Sequence, residues 1–377
     1  VFSLVTVGTT QRSSVSKTMS TADKIAELEK EISTTKYNKA TQFHVGLVKA
    51  KLARLREDVE RKASSAKKGE GYAVKKTGDA TVVMLGFPSV GKSTLLNRLT
   101  KQESKVAAYA FTTLTVIPGM MNYKGAKIQI LDVPGLIEGA STGRGRGREV
   151  LSVIRSADLL IIMAEVRNES HFILIKSELD ENGVRINQGL PKVKITKTLS
   201  GGLQIRSSAK QELSSQTIQG ILQQFRLTYA EVVLSEKISI DGLIDAFAKN
   251  RVWVPALFVI NKVDLHPTSV KSGPVYGNEF LGVSAQDEIG LDELREAIWE
   301  KLGLLRVYLR QSVKTVDYDA PLIMHNGDIL VSVAERIGTE FAKTVKEAKI
   351  WGPGSRFPGQ KVSLSTKVQD EMEVLFL

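Results

Sequence analysis

Residues 86–93 read Gly86-Phe87-Pro88-Ser89-Val90-Gly91-Lys92-Ser93, a complete G-x-x-x-x-G-K-S phosphate-binding loop. The apolar run Thr81-Val82-Val83-Met84-Leu85 precedes it, and Thr94-Leu95-Leu96-Asn97-Arg98-Leu99, with a helical pattern, follows it. Strand, glycine loop and helix are the context that this motif needs. The glycines let backbone N–H groups turn inward around phosphate oxygens. The helix N-terminus, continued by Thr94, adds partial positive charge. Lys92 reaches the β- and γ-phosphates, and the Ser93 hydroxyl offers Mg2+ a ligand. The loop and Thr94 are therefore expected to hold a nucleoside triphosphate.

Three further signals follow in order, each after a predicted strand. Asp132-Val133-Pro134-Gly135 follows the strand Ile128-Gln129-Ile130-Leu131. A carboxylate there holds the Mg2+ water shell, and the Gly135 N–H meets a γ-phosphate. Asn261-Lys262-Val263-Asp264 follows an apolar run over 256–260. The Asp264 carboxylate can accept from both N1–H and the 2-amino group of guanine, a donor pair that adenine lacks. The Asn261 amide can pair with the purine while the Lys262 stem covers the ring. Ser284-Ala285 ends the next strand, where a backbone N–H can reach guanine O6. Between the loop and Asp132, Thr112 or Thr113 would complete the Mg2+ shell when a γ-phosphate is present. The expected catalytic positions are Lys92, Thr113 and Gly135, and the expected metal ligands are Ser93, Thr112, Thr113 and Asp132.

From residue 77 onward strands alternate with helices, the pattern of an α/β unit with a mostly parallel sheet covered on both faces. Runs at 159–164, 256–260 and 280–284 supply strands, and the amphipathic segment 291–302 closes the unit. Residues 183–239 interrupt it with short β-like pieces at 184–187, 193–196 and 203–206 and a helix at 217–225, the pattern of a small inserted α+β subdomain. Beyond residue 303 the chain restarts with strands at 306–309, 349–351 and 373–376 and a helix at 329–341. Upstream, apolar residues at helical spacing in 22–32 and 43–63 predict a helical hairpin around a turn at 36–41. The expected domains are a disordered leader over 1–18, a basic helical segment over 19–71, a nucleotide-binding unit over 77–302 and a compact α+β domain over 303–377.

The 377 residues contain no cysteine, which excludes disulfides and thiolate metal sites. No uninterrupted apolar stretch approaches the ~20 residues of a membrane span, so no membrane partner is expected and cytoplasm is the expected location. The formal net charge is +11, and residues 1–78 hold 16 Lys and Arg against 8 Asp and Glu. That N-terminal excess points to a polyanion, most simply RNA. The four histidines, His44, His171, His266 and His325, lack metal-ligand spacing, so surface or packing roles are expected. Trp299 falls on the apolar side of its helix and is expected in the core. Trp351 is either a packed strand end or an aromatic for base stacking.

At these residues the chain resembles the Obg-related GTPases, through GFPSVGKS, FTT, DVPG, NKVD and VSA. LIEGA at 136–140 and GRGRG at 143–147 resemble the signature of one branch, the developmentally regulated GTP-binding (DRG) proteins. The resemblance covers nearly the whole chain from about Met19. It implies a helix-turn-helix-like N-terminal segment, a P-loop GTPase domain with a small insertion, and a C-terminal β-grasp TGS-like domain. It also implies a translation factor that binds GTP and GDP and associates with ribosomes or RNA. Eukaryotic members bind a stabilising partner protein.

Two positions depart from better-known schemes. Leu136 stands where Ras-like GTPases place a water-orienting Gln. A bound water network, a potassium ion or a partner's residue must take that role, so slow intrinsic turnover is expected. Ser89 stands where cation-dependent relatives often carry Asn, and it still offers K+ an oxygen. The cationic run 143–148 is read as a switch that orders with GTP. Its alternatives are an arginine approaching the phosphates or a solvated loop. The alternative to a hydrolytic switch is a nucleotide-dependent assembly scaffold with incidental hydrolysis.

Overall fold

The computed structural model describes residues 19–66, 77–100, 107–108, 115–133, 152–265, 272–275 and 278–377. Helices α1 (Thr21–Thr34) and α2 (Gln42–Ala66) come first. A run of β1 (Ala80–Gly86), α3 (Lys92–Thr100), β2 (Ala107–Ala108), β3 (Thr115–Tyr123), β4 (Ala126–Asp132), β5 (Leu159–Glu165), α4 (His171–Glu181) and β6 (Val184–Ile186) follows. Then come β7 (Val193–Lys197), β8 (Leu203–Ser207), α5 (Ser215–Gln224), β9 (Ala230–Leu234) and α6 (Ile240–Phe247). The central unit resumes with β10 (Val252–Val254), β11 (Ala256–Asn261), the 3-10 turn Val263–Leu265, β12 (Ser272–Val275), β13 (Asn278–Gly282) and α7 (Leu291–Leu302). The C-terminal part holds β14 (Leu304–Leu309), β15 (Leu322–His325), α8 (Leu330–Ile337), α9 (Thr339–Thr344), β16 (Glu347–Trp351), β17 (Gln360–Ser363) and β18 (Met372–Phe376).

These elements form two compact units from interleaved segments. Val1–Lys68 joins Leu190–Asn250, and Gly69–Gly189 joins Arg251–Leu377. The larger unit is built on an eight-stranded sheet of order β12-β13-β11-β5-β1-β4-β3-β2. The strands β13, β11, β5, β1 and β4 run parallel, and β3 and β12 are antiparallel additions. Side-chain alternation along β1 explains the two layers. Val82 and Met84 face a cluster that includes Leu95, Leu96 and Leu99 of α3 and Leu294 and Ile298 of α7. Val83 and Leu85 face the opposite cluster with Phe172, Ile175 and Leu179 of α4. Each such fully buried side chain contributes about 1.5–3 kcal/mol. The parallel strands all end on one edge, which brings Gly86, Asp132, Glu165, Asn261 and the turn after Gly282 together.

The C-terminal sheet is separate and has the order β15-β14-β18-β16-β17. Leu330, Val333 and Ala334 of α8 pack on its Val307, Met324, Ala348, Ile350 and Val374. The helix expected over 329–341 is two helices, α8 and α9, divided at Gly338, where the backbone is extended. This sheet packs against the central one: Leu304 and Ile323 share a cluster with Trp299 of α7. Lys124, at the β3–β4 tip, pairs with Glu296 of α7 at 2.6 Å. Trp299 is buried, as its helical position required.

The smaller unit joins two stretches of chain that the pattern kept apart. Ser20 and Asp23 form a reciprocal capping box that starts α1. Leu28 of α1 packs with Val48 and Leu52 of α2. The other side of α2 presents Ala50 and Ala53 to a core with Ile218, Ile221, Leu222, Val232, Leu234 and Leu243. The α2–α5 crossing is tight: a Cβ on Gly220 would sit 2.9 Å from both Leu47 and Phe43. A three-stranded sheet, β7-β9-β8, shares this core with α5 and α6. The segment 183–187 was expected in the insertion. Its strand β6 instead pairs with β10, because Val184 and Ile186 are buried in the central core.

Candidate functional site

The phosphate-loop residues lie between β1 and α3, as the sequence order required. Val90 is buried and anchors the loop. Ser89 has φ of 64°, a left-handed conformation that costs a serine about 1–2 kcal/mol. Gly91 has φ of 93°, and a Cβ there would meet Asn261 Nδ2 at 2.3 Å, so only glycine fits. The Lys92 ammonium donates to the carbonyls of Gly86 at 2.9 Å and Phe87 at 3.0 Å. It is therefore folded back over the loop, where phosphate oxygens would compete for its protons.

Asp132 ends β4 and is buried. Its Oδ2 accepts from the Ser93 hydroxyl at 2.7 Å. Its Oδ1 is buried and has no hydrogen-bond partner among the described residues. A hydroxyl touching a carboxylate with an unused oxygen is a hard-oxygen donor set that suits Mg2+. No group of three or more His, Cys, Asp or Glu among the described residues is placed to hold a metal alone. A cation here would depend on phosphate and water oxygens, as Mg2+ does in nucleotide sites.

Asn261 ends β11 and ties the loops together. Its Nδ2 donates to Val90 O at 2.8 Å, and its Oδ1 accepts from Ala285 N–H at 3.0 Å. The amide is thus a brace between the phosphate loop and the 284–285 turn, and its second N–H shows no partner among the described residues. The Ser284 N–H is taken by Ile289 O at 3.0 Å. One N–H of the Ser284-Ala285 pair was expected to reach guanine O6; here Ala285's donates to Asn261 and Ser284's to Ile289. Asp264 sits in the 3-10 turn after β11, and its buried Oδ1 has no partner among the described residues. Leaving a buried carboxylate oxygen unsatisfied is costly. A ligand with a matching donor pair would remove that cost.

One contributor escaped sequence reasoning, and a second takes the packing role expected of it. Glu165, the last residue of β5, accepts from Lys262 Nζ at 2.6 Å and from Asn168 Nδ2 at 2.7 Å. The Lys262 hydrogen bond holds the Glu165 carboxyl below the usual carboxylate range, against the opposing effect of burial. His171 stacks its ring on Phe87 with centroids 3.9 Å apart. Nothing local flags Glu165, because only the parallel register sets it beside the N-K-x-D strand. His44 pairs with Glu31 at 2.8 Å on the α1–α2 hairpin. Thr112, Thr113, Gly135, Leu136, the 143–148 run, His266 and residues 1–18 lie outside the described residues.

A family model described as a 50S ribosome-binding GTPase matches residues 81–195. A model for the C-terminal region of that domain matches 200–304, and a TGS domain model matches 305–377. An uncharacterised GTP-binding protein of Methanocaldococcus jannaschii is 44% identical over 362 residues, covering 94% of this chain and 92% of the relative. Developmentally-regulated GTP-binding protein 2 of Homo sapiens is 39% identical over 356 residues, covering 94% and 98% respectively. A Dictyostelium discoideum homologue of developmentally-regulated GTP-binding protein 1 is 38% identical over 364 residues, with 94% and 98% covered.

Proposed function

This chain belongs to the DRG-like family of Obg-related GTP-binding proteins, and on that footing we propose that it hydrolyses GTP to GDP and phosphate as a switch. The observation that carries the reading is the buried Asp264 Oδ1, without a hydrogen-bond partner among the described residues, in the loop whose Asn261 grips the phosphate loop. One carboxylate would accept both guanine donors while the same loop braces the phosphates.

In this scheme Lys92 exchanges its loop carbonyls for β- and γ-phosphate oxygens. Ser93 and Asp132, with Thr112 or Thr113, would hold Mg2+, which supplies charge neutralisation on the phosphates. A water oxygen forms a bond to the γ-phosphorus, the bond to the β–γ bridging oxygen breaks, and GDP leaves with that oxygen. The Gly135 N–H and the loop amides meet the charge that develops on the γ-phosphoryl oxygens. The Leu136 side chain has no hydrogen-bonding group, so another group orients the water and intrinsic turnover is slow. A potassium ion at Ser89 is one candidate for that group. Single-turnover hydrolysis in potassium and in sodium tests it, and equal rates would remove it.

We place the switch in translation. Support comes from the net charge of residues 1–78, 16 Lys and Arg against 8 Asp and Glu, and from the TGS domain. Co-sedimentation with ribosomes at low and moderate salt, with GDP and a GTP analogue, tests this. No association with either nucleotide would sink it. The second reading, a scaffold with incidental hydrolysis, is favoured by Leu136 alone. A rate that neither ribosomes nor potassium raise would support that reading.

A further inference from the structure

The ion pair between Glu165 and Lys262 lies beside the base-selecting loop and is more constrained than a surface pair. Glu165 is the sheet-register neighbour of Asn261, so the last residues of β5 and β11 stand side by side. The Val166 N–H continues that pairing to Asn261 O at 3.4 Å. Lys262 then turns sharply, with φ of 67°, a conformation uncommon for lysine. That turn accompanies the 2.6 Å contact of its ammonium with Glu165 Oε2. The other carboxylate oxygen, Oε1, accepts from Asn168 at 2.7 Å. Glu165 is thus held from one side by Asn168 while it holds Lys262 from the other. Both side chains of the pair are about one third exposed, 34% and 30%. An ordinary exposed pair of that kind contributes little to folding. Its position between Asn261 and Asp264 gives it a different use.

We propose that Glu165, itself fixed by Asn168, is a positioning residue that pins the Lys262 stem across the face of the guanine base. The inference rests on the guanine-nucleotide reading above. Glu165 acts on base residence through Lys262 and touches neither phosphate nor Mg2+. Its loss shortens the stay of GDP and GTP by the same factor, because the base is common to both.

The experiment is a double-mutant cycle read by stopped-flow release of a fluorescent GDP and a fluorescent non-hydrolysable GTP analogue. The proteins are full-length wild type, Glu165→Ala, Lys262→Met and the double variant. Lys262→Met keeps an apolar stem and removes the ammonium. Glu165→Ala is expected to speed release of both nucleotides about five- to tenfold in the wild-type background. In the Lys262→Met background it is expected to change release by less than twofold. Asn168→Ala, which leaves the ion pair intact, is expected to give a smaller increase in release. Unchanged or slower release from Glu165→Ala overturns the proposal. So does equal acceleration in both backgrounds, which would make Glu165 a support of the sheet edge. Failure of the guanine reading is distinguishable, because wild type would then release both fluorescent guanine nucleotides too fast to bind at micromolar concentration.

Discussion

Asp264 and Gly91 each concentrate a large effect in one position. Asp264→Asn keeps the shape of the side chain but could no longer accept from both donors of the guanine base proposed to bind it. We expect GTP affinity to fall by about 30- to 1000-fold, the loss of a charge-assisted pair worth about 2–4 kcal/mol. Xanthine nucleotides should gain in relative affinity, and competition titrations with GTP and xanthosine triphosphate check this. Gly91→Ala forces a Cβ to 2.3 Å from Asn261 Nδ2 at φ of 93°. More than tenfold weaker nucleotide binding is expected, with stability lowered by about 1–3 kcal/mol. Nucleotide titration alongside denaturant unfolding measures both. These residues were legible in the sequence because their chemistry is set by a short motif after a strand. Glu165 was not legible, because its partner Lys262 is 97 residues away and only the parallel register brings them together.

At the level of elements, the α2–α5 crossing depends on small residues. Gly46 and Gly220 admit the neighbouring helix, and the clearance at Gly220 is 2.9 Å to Leu47 and Phe43. Gly220→Val should destabilise the smaller unit by about 1–3 kcal/mol. Gly189→Ala, with nothing within 4 Å of its Cβ, should shift stability by about 0.5 kcal/mol or less. Thermal unfolding of the two variants beside wild type separates them. The Leu28, Val48 and Leu52 stripe was visible as helical spacing, so the α1–α2 hairpin could be read directly. The Gly46, Ala50 and Ala53 side of α2 was not, because small residues carry little hydrophobic signal while still permitting close packing. The α8–α9 break was missed for a similar reason. The apolar pattern runs through Gly338, and only the backbone shows the helix ending there.

For the whole molecule, acid sensitivity follows from carboxylates held below their ordinary range. Glu165 is lowered chiefly by its Lys262 hydrogen bond, and Glu296 by those from Lys124 and Tyr123. Burial alone would raise Asp370, but the Arg306 hydrogen bonds outweigh it and hold the carboxyl low. A carboxylate with a lowered folded-state pKa adds stability that is present above its unfolded value, about 4, and is lost as pH falls through the folded value. Glu178, raised by burial, opposes this. The unfolding midpoint should therefore stay level from about pH 8 to pH 5 and drop below about pH 4. Asp370→Asn should lower stability at neutral pH and soften that acid drop. The interleaving of the two units was hidden from the sequence. Nothing along the chain says that residues 19–66 and 190–250 share a core, whereas the strand-loop order announced the nucleotide site. Single-turnover hydrolysis of GTP beside ATP, with Mg2+ and with the Lys92→Ala protein as baseline, tests the central claim most directly. Slow conversion of GTP to GDP and phosphate well above that baseline, with ATP left intact, is the predicted result. GTP turnover no faster than the Lys92→Ala baseline, or ATP cleaved equally well, would contradict it.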